Sequence, residues 1–228
     1  MTHGLYLGPY LLGPNDENQG IYTGDARELE GTIPDESVDL IFTDPVYQNI
    51  DDYRWLAETA ARVLKPGGDV LVYLAHIHMD KVLAAMTPHL AYRWLLVEKK
   101  LSSGSLMWSL RLYSHYLPLL WFTKGLPRGA LSRTDFKWSL PTGSEINHHW
   151  AKNRARLEYW LHHYSEPSVL MWEPFCGGGS ILEAARRMGR RWLAFEIDPA
   201  TAERARERVR MTQAPLFTME PEQAVMEL

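Results

Sequence analysis

The stretch "SVDLIFTDPVYQN", residues 37–49, sets Asp44, Pro45 and Tyr47 directly after an apolar run from Val38 to Phe42. A turn at a strand end accounts for an Asp and a Pro. It does not account for the aromatic ring, so these three residues are candidates for chemistry. A second stretch, "EPFCGGGSILEAARRMGRRWLAFEID" (173–198), reads as strand, glycine-rich turn, helix, strand and acidic residue. Gly177, Gly178 and Gly179 let the backbone turn tightly and let a ligand approach where a Cβ would stand. The helix that follows offers free N–H groups in its first turn. Glu196 ends the next strand, 18 residues past the middle glycine, where a carboxylate can accept hydrogen bonds from ribose hydroxyls. Asp198 before Pro199 suits an N-cap with proline at the first helical position. A glycine-rich loop alone fits a structural turn or NAD binding, but three consecutive glycines are not the dinucleotide fingerprint G-x-G-x-x-G.

The elements around these residues alternate. "GIYTG" (20–24), "VDLIFTD" (38–44), "DVLVYLA" (69–75), "YRWLLVEKK" (92–100), "YLPLLWFTKG" (116–125), "SVLMWEPF" (168–175) and "RWLAFEID" (191–198) read as strands. "YRWLAETAARVL" (53–64) has helical spacing, with Trp55, Leu56, Ala60, Val63 and Leu64 on one face and "KPGG" as its stop. Helices are also expected in 78–90, 150–165, from Ser180 and from Pro199, and a loop over 126–147. Strands alternating with helices imply an α/β fold with a mostly parallel sheet covered on both faces. In such sheets ligands collect outside the carboxyl ends of the strands, which places "DPVY" and the glycine loop on one rim. No repeat is visible, and the tail 214–228 is acidic and expected to pack loosely.

The length of 228 residues, 46% hydrophobic and 23% charged, suits a soluble globular α/β domain. No apolar run is long enough to span a membrane, and the N-terminus lacks the pattern of a signal peptide. The single cysteine, Cys176, excludes a disulfide framework and points to a reducing cytoplasm. His148-His149 and His162-His163 are adjacent pairs whose side chains diverge, and no Cys/His set has zinc spacing, so no metal is expected. Net charge is -4, yet residues 93–163 hold eleven Lys and Arg against four Asp and Glu. That asymmetry suits a basic groove on an acidic body, with Trp108, Trp121, Phe136, Trp138 and Trp150 interleaved to stack bases or to form core.

With both elements in hand, the chain resembles the S-adenosylmethionine-dependent DNA amino-methyltransferases, which methylate N6 of adenine or N4 of cytosine. "TDPVY" is similar to their catalytic D/N/S-P-P-Y tetrad, and "EPFCGGGS" to their D-P-F-x-G-S-G cofactor loop. "YTGDARELEGTIPDESVDLIFTDPVY", "LKPGGDVLVY", "SHYLPLLWFTKG" and "FEIDPATAERARERV" are similar to flanking segments of the permuted (beta) class, whose catalytic tetrad precedes the cofactor loop. The likeness runs with gaps from about residue 20 to 210. It implies a Rossmann-like methyltransferase fold: a seven-stranded, mostly parallel sheet with one antiparallel strand, in one domain over 1–228. A short target-recognition insertion is expected at about 126–149.

The resemblance also implies the chemistry. Asp44 and the Pro45 carbonyl would accept hydrogen bonds from an exocyclic amino group and favour tetrahedral nitrogen. Tyr47 would stack on a base flipped out of double-stranded DNA. The cofactor, S-adenosyl-L-methionine, would lie on Asp44, Gly177, Gly178, Gly179 and Glu196. Asp25 is implied as a contact to its adenine, although Asp25 alone fits equally a helix cap. Phe175 fits the cofactor's methionine or adenine end, and fits core equally. Asp at the head of the tetrad leans to adenine. N4-cytosine methylation, RNA methylation and a noncatalytic binding protein are the alternatives. Cys176 as the thiol nucleophile of carbon-5 cytosine methylation lies on the wrong element and reads as small-residue packing. Val46 stands where the family has a second proline, Lys152-Asn153 where it often has Lys-Pro, and the insertion is shorter than usual. A prokaryotic or phage-encoded cytoplasmic protein, with or without a restriction partner, is implied, and the class admits a homodimer.

Overall fold

The computed structural model describes residues 5–7, 10–12, 18–99, 105–126, 137–138, 154–167 and 169–214. Two short strands, β1 (Leu5–Leu7) and β2 (Tyr10–Leu12), pair antiparallel at the start. There follow β3 (Ile21–Thr23), α1 (Ala26–Leu29), β4 (Val38–Thr43), α2 (Ile50–Val63), β5 (Leu64–Tyr73), α3 (Met79–Met86) and β6 (Ala91–Lys99). A hairpin of β7 (Ser105–Met107) and β8 (Leu112–Ser114) precedes β9 (Tyr116–Thr123) and β10 (Lys137–Trp138). The chain continues through α4 (Arg154–Tyr164), β11 (Leu170–Glu173), α5 (Ser180–Arg187), β12 (Arg191–Glu196) and α6 (Pro199–Met211).

The main sheet runs β10-β6-β9-β5-β4-β11-β12-β3. Among the described strands of this sheet only β9 is antiparallel to its neighbours, and every other pair is parallel. This is the expected seven-stranded sheet with one antiparallel strand, extended by the two residues of β10 beside β6. Apart from Leu126 and β10, the expected insertion at 126–149 lies outside the described residues, as do His148, His149, Lys152, Asn153 and the tail from 215.

Alternation along each strand builds two cores. Leu40, Phe42, Leu71 and Tyr73 face α4, α5 and α6, packing on Leu157, Trp160, Leu182 and Ala205. Ile41, Val70, Val72, Trp172 and Phe195 face the other way, onto Leu56, Ala60 and Val63 of α2 and Val82 and Met86 of α3. Two expectations are corrected around α2. Its buried face includes Tyr53 and Ala57, while Trp55 is only partly buried and Leu64 already belongs to β5. "KPGG" lies inside β5, where the register with β4 jumps from Val38–Leu64 to Leu40–Asp69. Pro66 disfavours helical backbone at Lys65, so the chain turns extended before the glycines are reached. The excursion is held by hydrogen bonds with Lys124 just past β9: Gly67 N donates to its carbonyl at 2.7 Å, and its own N–H donates to Gly68 O at 2.9 Å.

Candidate functional site

The strands β4, β11, β12 and β3 are consecutive neighbours and parallel, so their carboxyl ends share one rim. Asp44 follows β4, the glycine loop follows β11, Glu196 ends β12 and Asp25 follows β3. The sheet therefore brings both sequence elements together, with β4 directly against β11. The chain reaches β4 from the β3 edge by passing over β12 and β11, so the crevice between β4 and β11 is a topological switch point.

At the end of β4, Asp44 is half-buried, Pro45 buried and Val46 68% exposed. The Tyr47 hydroxyl donates to Asp44 Oδ1 at 2.7 Å. Burial first, and the Asp44 charge second, push the Tyr47 phenol far above its ordinary value, so it stays a donor. Asn49 N donates to Val46 O at 3.1 Å. That bond and the Tyr47–Asp44 bond close the turn where the family tetrad has a second proline. Asp51, Asp52 and the N-terminal end of α2 follow.

In the second loop, Gly177 (φ +49°) and Gly179 (φ +75°) take left-handed backbone that glycine adopts at little cost. Their surroundings differ. Among the described residues a Cβ on Gly177 would meet nothing within 4 Å, whereas a Cβ on Gly179 would stand 3.0 Å from Ala205 Cβ on α6. Gly177 thus leaves open ground at the rim, and Gly179 permits close packing of α5 on α6. Gly178 lies between them, with Arg208 Nη1 4.0 Å from where its Cβ would be. Glu196 braces this loop: Oε2 accepts from Gly177 N at 2.9 Å and Oε1 from Asp198 N at 2.9 Å. The carboxylate is half-buried, and each oxygen has a second lone pair for an incoming hydroxyl. Asp198 caps α6, accepting from Thr201 N at 2.8 Å, with Pro199 next.

Asp25 caps α1, its Oδ1 accepting from Arg27 N at 2.9 Å, and Gly24 N donates to Glu196 O at 2.9 Å. The cap role is therefore present, and the same bond network sets Asp25 beside Glu196 on the rim. The Phe175 ring stands edge-on to Trp55 at 5.7 Å, partly buried against the α2 core, so its packing role is present too. Cys176 is buried, its N–H donates to Phe195 O at 3.0 Å, and burial drives its thiol well above the ordinary range. That is an inert packing residue and a poor nucleophile.

Three positioning groups escaped the sequence reading. Glu173 is buried at the end of β11 and accepts from Thr43 Oγ1 at 2.5 Å, tying the last residue of β4 to the start of the glycine loop. It also accepts from Phe175 N at 3.3 Å. A carboxylate ending an apolar strand was its signal. Glu98 on β6 is 1% exposed and holds Trp160 Nε1 at 2.9 Å, Arg156 Nη1 at 2.8 Å and the Tyr73 hydroxyl. Its partners lie up to 62 residues away in sequence, so no local pattern marks it. Arg27 bonds Asp52 at 2.6 Å and lies over Trp55 at 5.1 Å, joining α1 to α2 beside the rim.

The basic groove is only partly supported. Arg156 is spent on Glu98, Lys124 bonds Glu36 at 3.1 Å, and Arg93 lies over Trp121 at 5.4 Å. Trp121 is core rather than a stacking platform, because its side of β9 packs against Tyr164. Trp108 is exposed. Lys100, Arg128, Arg133, Phe136 and Trp150, with the side chains of Lys137 and Trp138, lie outside the described residues.

A methyltransferase domain family model matches residues 11–72. Type II methyltransferase M.BamHI of Bacillus amyloliquefaciens is 26% identical over 233 aligned residues, covering 78% of this chain and 54% of that protein. The chain thus spans about half the length of this curated relative. Among solved structures, the M1.HpyAVI–SAM complex matches with a TM-score of 0.68 at 19% identity, covering 83% of this chain and 98% of that one. PvuII DNA methyltransferase, cytosine-N4-specific, matches with a TM-score of 0.70 at 21% identity, covering 90% and 88%. At these identities the solved structures establish the fold. The chain thus matches a methyltransferase domain family over residues 11–72, is similar in sequence to a type II methyltransferase, and shares the fold of the solved DNA methyltransferases.

Proposed function

We propose that this chain transfers a methyl group from S-adenosyl-L-methionine to the exocyclic N6 amino group of an adenine flipped out of duplex DNA. The observation that carries the reading is the rim itself: Asp44 with its Tyr47 bond at the end of β4, directly beside the Glu196-braced glycine loop at the end of β11. The open ground at Gly177 and the Glu196 carboxylate at the next strand end fit a ribose-bearing cofactor. Glu196 would take the ribose hydroxyls, Asp25 the adenine, and the loop 175–179 the remainder. When bound, the cofactor supplies an electrophilic methyl on its sulfonium, and the sulfur keeps the electron pair of the bond that breaks.

The chain's own residues prepare the amine. Its lone pair is delocalised into the ring, so it is a poor nucleophile. Asp44 and the Pro45 carbonyl each accept a hydrogen bond from it, which favours tetrahedral nitrogen and stabilises the positive charge that forms there. The proton then leaves the cationic nitrogen readily, so Asp44 need not be a strong base. Tyr47 would stack on the base, and its hydroxyl bond to Asp44 fixes the carboxylate's orientation. N4 of cytosine is the second reading, favoured by the match to a cytosine-N4-specific enzyme.

The test uses methyl-labelled cofactor with unmethylated genomic DNA, and RNA in parallel, followed by digestion and mass identification of the labelled nucleoside. Label in N6-methyladenine is expected. Label in N4-methylcytosine would move the substrate to cytosine, and label only in RNA would remove DNA. Cofactor binding with no label anywhere would overturn the enzyme reading.

A further inference from the structure

The β7–β8 hairpin is not used by the chemistry above. It carries an unusual surface: Trp108 is 81% exposed, and Leu110, Leu112 and Tyr113 are exposed beside it. Scattered apolar residues need no explanation, but a contiguous group does. The hairpin is also braced. Three residue pairs link its strands, and Arg111 N donates to Trp108 O at 3.2 Å across the tip. Arg111 holds left-handed backbone (φ +52°) at that tip. At the base, Ser114 Oγ lies 2.9 Å from His76 Nε2, and the same nitrogen lies 3.0 Å from Tyr116 O. The Tyr116 ring meets the His76 ring at 4.1 Å.

Topology fixes where this projection stands. His76 and Ile77 follow the carboxyl end of β5, and with Met107, Leu110, Tyr113 and Tyr116 they line a groove of about 330 Å³. The hairpin leads into β9, which lies beside β5, and β5 lies beside β4, so the hairpin rises from the rim that holds Asp44, two strand spacings along. Strands lie about 4.8 Å apart, so the hairpin stands about 10 Å along the rim from Asp44, and its three-residue strands extend about 10 Å. The charge is complementary to phosphate: Arg111 sits at the tip, and no Asp or Glu occurs between Lys99 and Thr134.

We propose that this hairpin is a wedge into substrate DNA, with Trp108 entering the base stack that the target nucleotide leaves and Arg111 holding a flanking phosphate. The inference rests on the DNA reading above. Extruding a base leaves a gap in the stack, and proteins that distort duplexes fill such steps with apolar side chains. A wedge must be braced, rim-mounted and exposed, and Trp108 sits at a hydrogen-bonded tip on the rim side with 81% of its surface exposed.

The test first maps the positions that wild-type protein methylates in unmethylated genomic DNA. Two short duplexes carrying that site are then compared, one fully paired and one with the target base mismatched, which is already easier to extrude. Trp108→Ala is expected to slow methylation of the paired duplex about five- to hundredfold, the range of one lost stacking contact. On the mismatched duplex the loss should stay below about threefold, with Trp108→Phe restoring most of the paired rate. Arg111→Ala should flatten the dependence of log affinity on log salt by about one. Cofactor affinity and thermal midpoint should not move in any of these variants. Equal rates for Trp108→Ala and wild type on the paired duplex would overturn the wedge and leave the DNA reading intact. Equal losses on both duplexes would make Trp108 an ordinary contact and also overturn it. A drop in oligomer size in Trp108→Ala would assign the surface to a second copy of the chain. Absence of any DNA methylation by wild type would remove the DNA reading and the wedge together.

Discussion

Tyr47 contributes two separable things at the residue scale, a ring and a hydroxyl. The hydroxyl donates to Asp44 at 2.7 Å, and burial keeps it protonated well beyond neutrality. Tyr47→Phe keeps the ring and removes the donor. It is expected to lower the turnover rate about tenfold, as fits the loss of a hydrogen bond to a charged group at about 1.5 kcal/mol. Tyr47→Ala also removes the stacking surface and should cost a further factor of about five to a hundred in transfer to DNA. Both are read from initial rates at saturating cofactor. If Tyr47→Phe and Tyr47→Ala were equally slow, the ring would have no role.

The glycine loop and the strand ends carry the next scale. Gly177→Ala places a methyl in open ground, so its cost to folding is the left-handed backbone alone, about 1–2 kcal/mol. On the proposed reading it should nonetheless weaken cofactor binding, because the cofactor would approach over that ground. Gly179→Ala adds a contact at 3.0 Å with Ala205 to the same backbone cost. It should destabilise by about 2–4 kcal/mol as overpacking joins the backbone strain. Urea midpoints and cofactor titrations on the two variants would separate ligand approach from packing. Thr43→Val removes the donor to buried Glu173 and should cost about 1–3 kcal/mol. This scale is also where sequence reading was uneven. Strands with near-continuous apolar runs, such as Val38–Thr43, were legible because both of their faces are covered. The "KPGG" stop was misplaced because a proline acts on the residue before it, and β5 had already begun at Leu64. The short hairpins β1–β2 and β7–β8 have three-residue strands, too brief for periodicity to register.

For the whole molecule, the rim forms because the carboxyl ends of four neighbouring parallel strands, β4, β11, β12 and β3, lie side by side. Motif order and strand ends could be read along the chain. The Glu98 cluster and the Thr43–Glu173 link could not, since their partners lie 25 to 130 residues apart. A global consequence follows from Tyr47, Tyr53 and Tyr73, whose phenols burial pushes above the ordinary value. The folded chain then holds protons that the unfolded chain releases once pH passes about 10. Stability from this source is intact below that pH and falls as pH rises beyond it. Denaturant midpoints between pH 8 and 11 should show a plateau and then a decline, shallower in Tyr53→Phe. A midpoint that rises above pH 10 would contradict the burial.

The central claim is that Asp44 acts on an amino group of DNA at the rim that holds the cofactor. Its most direct test is transfer of labelled methyl to unmethylated DNA by wild type and by Asp44→Ala, with cofactor affinity measured on both. The expected result is label with wild type, a loss of about a hundred- to thousandfold in the variant, and cofactor affinity changed by less than about tenfold. Label retained by Asp44→Ala, or none with a wild type that binds the cofactor, would contradict the account.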